Sequence, residues 1–338
     1  MKKTIISSLK FLVFLALGIL LIWLAVKDLK QEEINQIKKS LLEANYAWVA
    51  LAMLLGILAH ISRAVRWRML LAPIGFFPKL SSTIYAVFIG YLGNLAINRM
   101  GEVLRCGILK RYEKIPFAQS FGTVIAERVI DTFVLLILFI TSVYIEFERM
   151  HAYISDNIIS PLKLKLHSYA ENKMMMIILI GGILLLAVLF IIFRKKLVQN
   201  PIAKKIQAVL LSFLDGIRSV AKVKSPLLFI FHSFFIWAMY LFTVYVCVFA
   251  FSETKTLSIT DCLAIMCFGS LGVIATPGGI GAYQWIVLQI MTLWGYSTAM
   301  GVAFGWVVWL AQTVVILIGG LLSLGLLAIN NKDEKVSS

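Results

Sequence analysis

The sequence has little charge for its length. Only 14% of its 338 residues are charged, whereas 60% are hydrophobic and the mean hydropathy is +0.91. Soluble domains average about 25% charged residues, so this composition excludes an ordinary soluble protein. Several apolar runs are long enough to cross a hydrocarbon core of about 30 Å as helices, whereas barrel strands would be much shorter. The sequence therefore predicts an all-α integral membrane protein.

Motifs of soluble catalysis and of metal binding are also missing. The sequence has no Walker loop, no Gly-x-Ser-x-Gly, no His-Glu-x-x-His and no dinucleotide fingerprint, so nucleotide hydrolysis by this chain is not expected. The four histidines are scattered, and the four cysteines lack the spacing of metal ligands. We therefore predict no catalytic residue, no metal and no cofactor, and we assign the cysteines to packing.

Six apolar runs are predicted to be full transmembrane helices. They lie at 8–26, 46–62, 117–145, 174–193, 226–251 and 299–329. The first run follows two lysines, as a secretory signal would, but no small-x-small cleavage site comes after it. We therefore interpret it as the first span, with a signal peptide as the weaker alternative.

The distribution of basic residues predicts the orientation of these helices. One group of hydrophilic segments holds nine Lys/Arg and nine Asp/Glu; it comprises 27–45, 146–173 and 252–257. A second group holds twenty Lys/Arg against four acidic residues; it comprises the N-terminus, 63–80, 110–114, 194–224 and the C-terminus. By the positive-inside rule the second group faces the cytoplasm, which places both termini there.

Two further apolar tracts, 81–109 and 258–294, are predicted to be re-entrant. Segments of the same charge type flank each tract, so each should enter and leave the membrane on one face, the first from the cytoplasm and the second from outside. The fold is then six full transmembrane helices plus two oppositely oriented re-entrant helical hairpins. GYLGNLA at 90–96 and GSLGVIA at 269–275 share four of seven residues, which suggests an inverted repeat.

This reading makes the chain, 1–338, a single transmembrane domain. The first repeat would be 46–145 and the second 226–329, joined through the connecting span 174–193. Segment 197–224 is predicted to be a basic amphipathic helix on the anionic cytoplasmic leaflet, and no nucleic acid is expected to bind it. The arginines at 63, 66 and 68, with Trp67, are interpreted as topology determinants at the cytoplasmic interface.

A helix break follows each of the two similar motifs. In the first hairpin the break is INRMGE, which contains Gly101. In the second it is TPGGIG, and the break residues there are Thr276, Pro277, Gly278, Gly279, Gly281 and the following Gln284. Proline and glycine cannot continue a helix here. Transporters built from inverted repeats place such breaks near the midplane, so we predict a central polar cavity.

Seven charged residues remain for the membrane interior: Arg99, Glu102, Arg105, Glu127, Arg128, Asp131 and Asp261. Each costs about 2.5–3.5 kcal/mol at a helix centre, so they should pair, face inward or mark a pathway. In one interpretation the three arginines bind a phosphate headgroup and the carboxylates at 102, 127 and 131 orient them. In another, Glu102 bridges its neighbouring arginines and Arg128 pairs with Asp131 as a structural lock. A proton or ion relay is a third.

The segments RMGEVLR, AERVID and TPGGIGAYQ together resemble the flippase-like family defined by the transmembrane region of lysylphosphatidylglycerol synthases. The resemblance covers roughly residues 8 to 329 and implies movement of modified or polyisoprenoid-linked lipids between leaflets. The family pattern Arg-x-Gly-Glu-x-x-Arg falls on residues 99 to 105, Glu-Arg-x-x-Asp on 127 to 131, and Pro-Gly-Gly-x-Gly on 277 to 281.

The sequence departs from the family pattern in three places. Many relatives have a proline where this chain has Ile97-Asn98, and a glutamate where it has Gln284. The soluble aminoacyl-transferase domain of true synthases is not expected in the short tail after residue 329. Synthase activity is therefore not inferred from the resemblance.

The expected function is that of a lipid translocator in the cell (inner) membrane. Membrane lipids, above all anionic ones, are the expected partners, and a lipid-modifying enzyme is the expected protein partner. Two other functions stay open. One is a membrane-embedded transferase acting on a lipid phosphate, with Glu102 or Asp131 as general base. The other is an ion-coupled transporter of small solutes.

Overall fold

The computed structural model of the chain describes residues 16–149, apart from positions 17, 22, 26, 28, 98 and 148, and residues 223–336. Within this part of the chain the regular secondary structure is helical and contains no strand, in agreement with the all-α prediction. The predicted span 174–193 and the amphipathic segment 197–224 lie outside the described residues, as does most of 8–26. Residues 16–142 and 223–336 belong to one compact unit, which holds the sites described below.

The helices are numbered in chain order. They are α1 Gln31–Glu43, α2 Tyr46–Leu71, α3 Leu80–Ala96, α4 Met100–Tyr112, α5 Phe117–Ile145, α6 Pro226–Cys247, α7 Ile259–Ala275, α8 Ala282–Leu293 and α9 Thr298–Val336. Short 3-10 turns lie at Ala72–Ile74, Val248–Ala250, Glu253–Thr256 and Pro277–Gly279. The first two of these turns directly continue the long helices α2 and α6, and the last follows α7.

Three helical segments within the described residues are long and apolar enough to cross a membrane. They are Tyr46–Ile74, Pro226–Ala250 and Thr298–Ile329, which agree with three of the predicted runs. Helix α5 has 29 residues but carries three charged residues near its centre. The chain is therefore an all-helical protein with several apolar helices, as expected of a multi-pass membrane protein.

Besides α1, four of these helices are too short to cross a bilayer. Helices α3 and α7 have 17 residues each, and α4 and α8 have 13 and 12. At about 1.5 Å per residue the longest of them reaches about 26 Å, less than a hydrocarbon core of about 30 Å. Helix α3 packs against α4, and α7 packs against α8, so each pair forms a helical hairpin around its break.

The order of helix lengths repeats along the chain. Helices α2 to α5 run long, short, short, long, and helices α6 to α9 do the same. Helix α2 packs along α6, while α9 packs against α2, α3 and α8. Glycines permit the close approach of α9 to α3, since a Cβ added to Gly319 would lie 2.4 Å from Cδ1 of Phe88. The largest apolar core lies among α2, α6, α7, α8 and α9.

The prediction that Arg63, Arg66 and Trp67 come after the second helix is wrong. Helix α2 does not end there but continues to Leu71, and these side chains are 2%, 0% and 0% exposed. The positive-inside rule counts charges by segment and does not resolve a basic residue that faces carboxylates on another helix. Of the four basic residues at 63–80, only Lys79 is exposed, and Arg68 is half-buried.

Candidate functional site

Five charged side chains meet in the interior of the described unit. We call them the inner cluster: Arg63 and Arg66 from α2, Arg105 from α4, and Glu127 and Asp131 from α5. None is more than 6% exposed. Ionised side chains are rarely buried unless they pair, so this cluster is a costly feature that requires a structural or functional reason.

Glu127 is shared by all three arginines. Arg105 donates to it with both terminal nitrogens, Nη2 to Oε2 at 2.9 Å and Nη1 to Oε1 at 3.3 Å. Arg63 Nη1 donates to Oε1 at 2.8 Å, and Arg66 Nη2 lies 3.6 Å from the same oxygen. The Arg105 contact has the forked geometry that arginine also uses toward phosphate.

Asp131 accepts hydrogen bonds from both arginines of α2. Arg66 Nη2 donates to Oδ1 at 2.6 Å, and Arg63 Nη1 donates to Oδ2. Arg66 also donates from Nη1 to Oγ of Ser233 on α6, at 3.2 Å. The inner cluster therefore joins four helices, α2, α4, α5 and α6, through charge-assisted hydrogen bonds.

Helical spacing explains how the cluster forms. Arg63 and Arg66 are three residues apart on α2, and the carboxylates of α5 are four residues apart, so each pair occupies one helix face. Arg105 lies with its guanidinium carbon 4.2 Å from the ring centre of Trp67, a cation–π contact. Gly90 gives α4 room, because an added Cβ would lie 2.5 Å from Cγ of Arg105.

The inner cluster has more positive than negative charge. Three arginines face two carboxylates, which leaves an excess of one positive charge. The Nε groups of Arg63, Arg66 and Arg105 also have no hydrogen-bond partner within the described residues. A buried donor without an acceptor costs about 1–3 kcal/mol. The cluster therefore has both the charge and the donors to accept an anion.

A second, more accessible group lies on α4 and α5. Glu102 and Arg128 form an ion pair with Oε1 and Nε 3.2 Å apart, and their side chains are 18% and 35% exposed. Arg99 is exposed and precedes α4 in the left-handed conformation, with φ of 64°. We call Arg99, Glu102 and Arg128 the outer group. Two of its members, Arg99 and Arg128, are cationic side chains that are at least partly accessible in this conformation.

The structure therefore divides the six predicted pocket residues into two sets. Arg105, Glu127 and Asp131 join the inner cluster, and the other three form the outer group. The pairing proposed for a structural lock is wrong, because Glu102 pairs with Arg128, and the ion pairs of Asp131 are with the two arginines of α2. Intervals within one helix could not reveal that the partners came from α2.

Sequence reasoning missed Arg63 and Arg66. A signal was present, because the apolar run resumes after them at Met69-Leu70-Leu71. Charges followed by more apolar residues are typical of a helix that continues with one polar face, rather than of a loop. Asp261 also differs from the other six charges, because it caps α7: its Oδ2 accepts hydrogen bonds from N and Oγ of Ser258, each at 2.7 Å.

The two helix breaks have similar hydrogen bonds. In the first, the backbone N–H of Gly101 donates to Oδ1 of Asn94 at 2.7 Å. In the second, the N–H of Gly281 donates to Oε1 of Gln284 at 2.8 Å. In each break a side-chain amide oxygen thus accepts from the N–H of a glycine at the start of the second helix, an N–H that has no backbone acceptor within that helix.

The second break requires glycine. Gly278, Gly279 and Gly281 have φ of 61°, 78° and 78°, the left-handed region that other residues adopt at a cost. Thr276 donates from Oγ1 to the carbonyl of Ile280 at 2.9 Å, and Nε1 of Trp309 on α9 donates to the carbonyl of Gly278 at 2.7 Å. One hydrogen bond within the break and one from α9 therefore fix the conformation of this turn.

The two breaks also contact each other. A Cβ added to Gly278 would lie 2.7 Å from Cδ2 and 3.4 Å from Cα of Leu95, near the end of α3. Helix α3 packs against the turn Pro277–Gly279 as a whole. The tips of the two hairpins therefore meet inside the described unit, and α4, which supplies Arg105, begins at one of them.

Comparison with known proteins shows two partial relatives. The chain is 28% identical over 138 residues to a UPF0104 membrane protein of Methanocaldococcus jannaschii, which covers 40% of this chain and 38% of that protein. It is 31% identical over 90 residues to the glycosyltransferase AglD of Haloferax volcanii, which covers 26% of this chain and 14% of that protein. The matched regions thus span well under half of either relative.

No solved structure matches the chain significantly. The sequence profile of the family described as the lysylphosphatidylglycerol synthase TM region matches residues 9–320, which includes every residue of the inner cluster, the outer group and both breaks. The chain therefore belongs to the family of the lysylphosphatidylglycerol synthase transmembrane region.

Proposed function

We propose that the protein is a flippase-like translocator that moves an anionic phospholipid or a polyisoprenoid-linked lipid between leaflets. The observation that carries this proposal is the inner cluster, in which three buried arginines face only two carboxylates. A lipid phosphate would supply the missing negative charge and an acceptor for the unused Nε donors. The acyl or isoprenoid chains would stay in the surrounding lipid.

In the proposed binding step, a lipid phosphate replaces a carboxylate as the partner of a buried arginine. In the described conformation Glu127 and Asp131 occupy the arginine forks, so the inner cluster is closed to a ligand. A phosphate offers the same paired oxygen geometry as a carboxylate, and it carries at least one negative charge. As the headgroup enters, it would replace a carboxylate on one arginine and thereby loosen the contact between α4 and α5.

The outer group would receive the headgroup first. Arg99 is exposed and makes no ion pair with another described residue, so it can contact a phosphate without breaking an existing pair. The side chains of Glu102 and Arg128 are less exposed than Arg99 and more exposed than the inner cluster. The path would then run from the outer group to the inner cluster, beside the breaks where the two hairpins meet.

The matching order of helix lengths supports the finer topology. We propose six full spans and two re-entrant hairpins that enter from opposite faces, with 46–145 and 226–329 as inverted repeats. The protein would lie in the cell (inner) membrane. The first hairpin would enter from the cytoplasmic face, and both termini would lie in the cytoplasm. A lipid-modifying enzyme that supplies the headgroup is the proposed protein partner.

Leaflet exchange in proteoliposomes tests this function. The purified chain should accelerate exchange of a fluorescent anionic lipid well above the rate in empty liposomes, and accelerate a zwitterionic lipid less. Anionic phospholipid and polyisoprenyl phosphate would be measured separately, because the shared phosphate does not distinguish them. Exchange of both at the empty-liposome rate would contradict the proposal.

A transferase is the second candidate function, and one observation favours it. Oε2 of Glu102 is buried and has no hydrogen-bond partner within the described residues, which suits a general base. One relative is named a glycosyltransferase, although the match covers only 14% of it. A new lipid product formed by the purified chain, without leaflet exchange, would favour this function. An ion-coupled solute transporter would instead show substrate-dependent currents.

A further inference from the structure

We propose that His60 is a proton-binding site that couples the movement of an anionic lipid to the uptake of a proton. This inference rests on the proposed lipid function and adds to it the ion that moves with the lipid. His60 lies on α2, three residues before Arg63, so the two side chains are neighbours on one face of the helix. A proton bound at His60 would therefore lie beside the inner cluster, where the phosphate is proposed to bind.

The first observation is that the imidazole of His60 has no hydrogen-bond partner within the described residues. The residue is 2% exposed, and both Nδ1 and Nε2 lack a partner there. A neutral imidazole has one N–H group and one nitrogen with a lone pair, so one nitrogen is available to accept a proton. Buried polar atoms without partners are rare in native proteins and call for an explanation. A proton, unlike a lipid headgroup or a metal ion, needs no cavity at this position.

Aromatic rings from two other helices surround this imidazole. The ring centres of Tyr91 and Phe88 on α3 lie 4.6 and 5.2 Å from the centre of the imidazole, and that of Tyr240 on α6 lies 6.3 Å away. The face of an aromatic ring attracts a cation within about 6 Å. An imidazolium is therefore better accommodated among these rings than among aliphatic side chains. Both tyrosines are half-buried, so the movement of one side chain would admit the water that supplies the proton.

The charge balance of the inner cluster links the proton to the lipid. With His60 neutral, the three arginines and two carboxylates carry an excess of one positive charge. A protonated His60 would raise that excess to two in the absence of lipid, which disfavours the proton. A bound phosphate with one negative charge brings the total to zero, and the proton then restores the excess that the resting protein already has. Lipid and proton therefore favour each other's binding, and the coupling is reciprocal.

The transported pair is electrically neutral. One proton comes from the water on the side where the lipid enters, and it returns to the water on the side where the anionic headgroup leaves. Movement of this pair transfers no net charge across the membrane, so a membrane potential does not oppose it. A pH difference across the membrane would instead drive the lipid toward the more alkaline side.

The other charged or titratable groups around His60 should keep their charge between about pH 5.5 and 8. They are Arg63 on the same helix, Tyr91 from α3, Tyr240 from α6 and, beyond Arg63, the other members of the inner cluster. Ordinary pKa values are about 12.5 or above for arginine, about 10 for tyrosine and about 4 for carboxylates, whereas that of histidine is about 6.5. Helix α9 carries no charged residue between Thr298 and Asn331. Proton uptake near neutral pH therefore reports on histidine.

His232 provides the matched control, because His60 and His232 are the histidines that the structure describes. His232 is half-buried on α6, and its Nδ1 lies 2.8 Å from Oγ of Ser62. This hydrogen bond engages one of its ring nitrogens, in contrast to His60. His60→Gln and His232→Gln each remove one imidazole and keep a polar side chain. His60→Leu, with an apolar side chain of similar size, covers the case in which a buried amide destabilises the protein.

The measurement is proton uptake by the full chain on addition of phosphatidylglycerol, followed with a pH-indicator dye in weakly buffered detergent at about pH 6.5. The phosphodiester of this lipid keeps a single negative charge in that range. Native mass spectrometry gives the bound fraction, so uptake is expressed per bound lipid. The unmodified chain and His232→Gln should take up as much as about one proton per bound lipid, and both His60 variants should take up about tenfold less. Uptake that is unchanged in the His60 variants, or lost in His232→Gln instead, would overturn the proton site.

Failure of the proton site and failure of the proposed function give different results. If the unmodified chain exchanges anionic lipid but takes up no proton on binding it, the proton site is wrong and the translocator proposal stands. If it takes up a proton through His60 but moves no lipid between leaflets, the proton site stands and the translocator proposal is wrong. Binding of neither phosphatidylglycerol nor a polyisoprenyl phosphate would contradict both.

An imposed pH difference across proteoliposomes tests the coupling during transport. The unmodified chain should accumulate phosphatidylglycerol in the leaflet on the alkaline side beyond the level in empty liposomes, and His60→Gln should not. Equal accumulation by both proteins would contradict the role of His60 in coupling.

Discussion

Arg105 on α4 and Glu127 on α5 are joined by two parallel hydrogen bonds, 2.9 and 3.3 Å long, although neither side chain is more than 1% exposed. This forked pair ties the second helix of the first hairpin to the long helix that follows it. Because Glu127 also accepts a hydrogen bond from Arg63 and forms an ion pair with Arg66, it is the most shared member of the inner cluster.

Glu127→Gln should destabilise the fold strongly. Three arginines contact this carboxylate, and its loss raises the excess positive charge of the inner cluster from one to two. Removal of one partner from a buried ion pair costs about 3–5 kcal/mol. The melting temperature in detergent should fall markedly. Glu102→Gln is the control, and it should cost about 1 kcal/mol or less because its pair is partly exposed.

Arg99→Gly should preserve stability and reduce transport. The left-handed conformation of Arg99, with φ of 64°, costs about 1–2 kcal/mol for a residue with a Cβ. Glycine adopts this conformation freely but has no cationic group. The melting temperature should stay level or rise while exchange of anionic lipid falls. Arg99→Lys, which keeps the charge and the strain, should retain much of the exchange; equal loss in both variants would contradict this role.

Gly279→Leu should abolish transport without preventing insertion. Its φ of 78° disfavours any side chain, and a Cβ would lie 3.0 Å from Cγ2 and 3.2 Å from Cα of Val273. Insertion depends on the flanking apolar helices, so the protein should still reach the membrane. Gly107→Leu is the matched control, because Gly107 lies within α4 and a Cβ there meets nothing within 4 Å. Full exchange by Gly279→Leu would mean that the break is only a connector.

His60→Leu should be tolerated by the fold. The imidazole is 2% exposed, neither ring nitrogen has a hydrogen-bond partner within the described residues, and its neighbours include the rings of Phe88, Tyr91 and Tyr240. An apolar side chain of similar size removes two unsatisfied polar atoms, so the melting temperature should stay level or rise. A clear drop would show that His60 has a partner in the native protein. Loss of exchange at full stability would instead assign the imidazole a role in transport.

The sequence predicted the breaks well because their cause is local. Pro277 and three glycines within five residues end a helix whatever surrounds them, and the hairpin tracts follow from apolar length on either side. Helix α3 begins at Leu80 and α7 begins at Ile259, each within one residue of the start of its predicted tract, 81 and 258. The two similar motifs, GYLGNLA at 90–96 and GSLGVIA at 269–275, form the last turns of α3 and α7.

The inner cluster was only half predictable because its partners are distant in sequence. Arg63 is 64 residues from Glu127 and 68 from Asp131, so no periodicity within one helix connects them. The sequence identified Glu127, Asp131 and Arg105 as charges within the membrane, but it did not identify their ion-pair partners. The charge excess that supports an anion site is visible only when the arginines of α2 are seen beside the carboxylates of α5.

Arg105→Gln provides the most direct test of the central claim that the buried arginines carry an anionic headgroup. This change balances the inner cluster at two arginines and two carboxylates, and both carboxylates keep the arginines of α2. Stability should therefore change far less than in Glu127→Gln, whose charge excess grows. Exchange of anionic lipid per folded molecule in proteoliposomes should fall at least tenfold beside a melting temperature close to that of the unmodified chain. Unchanged exchange per folded molecule would contradict the headgroup site and leave the cluster as a structural lock.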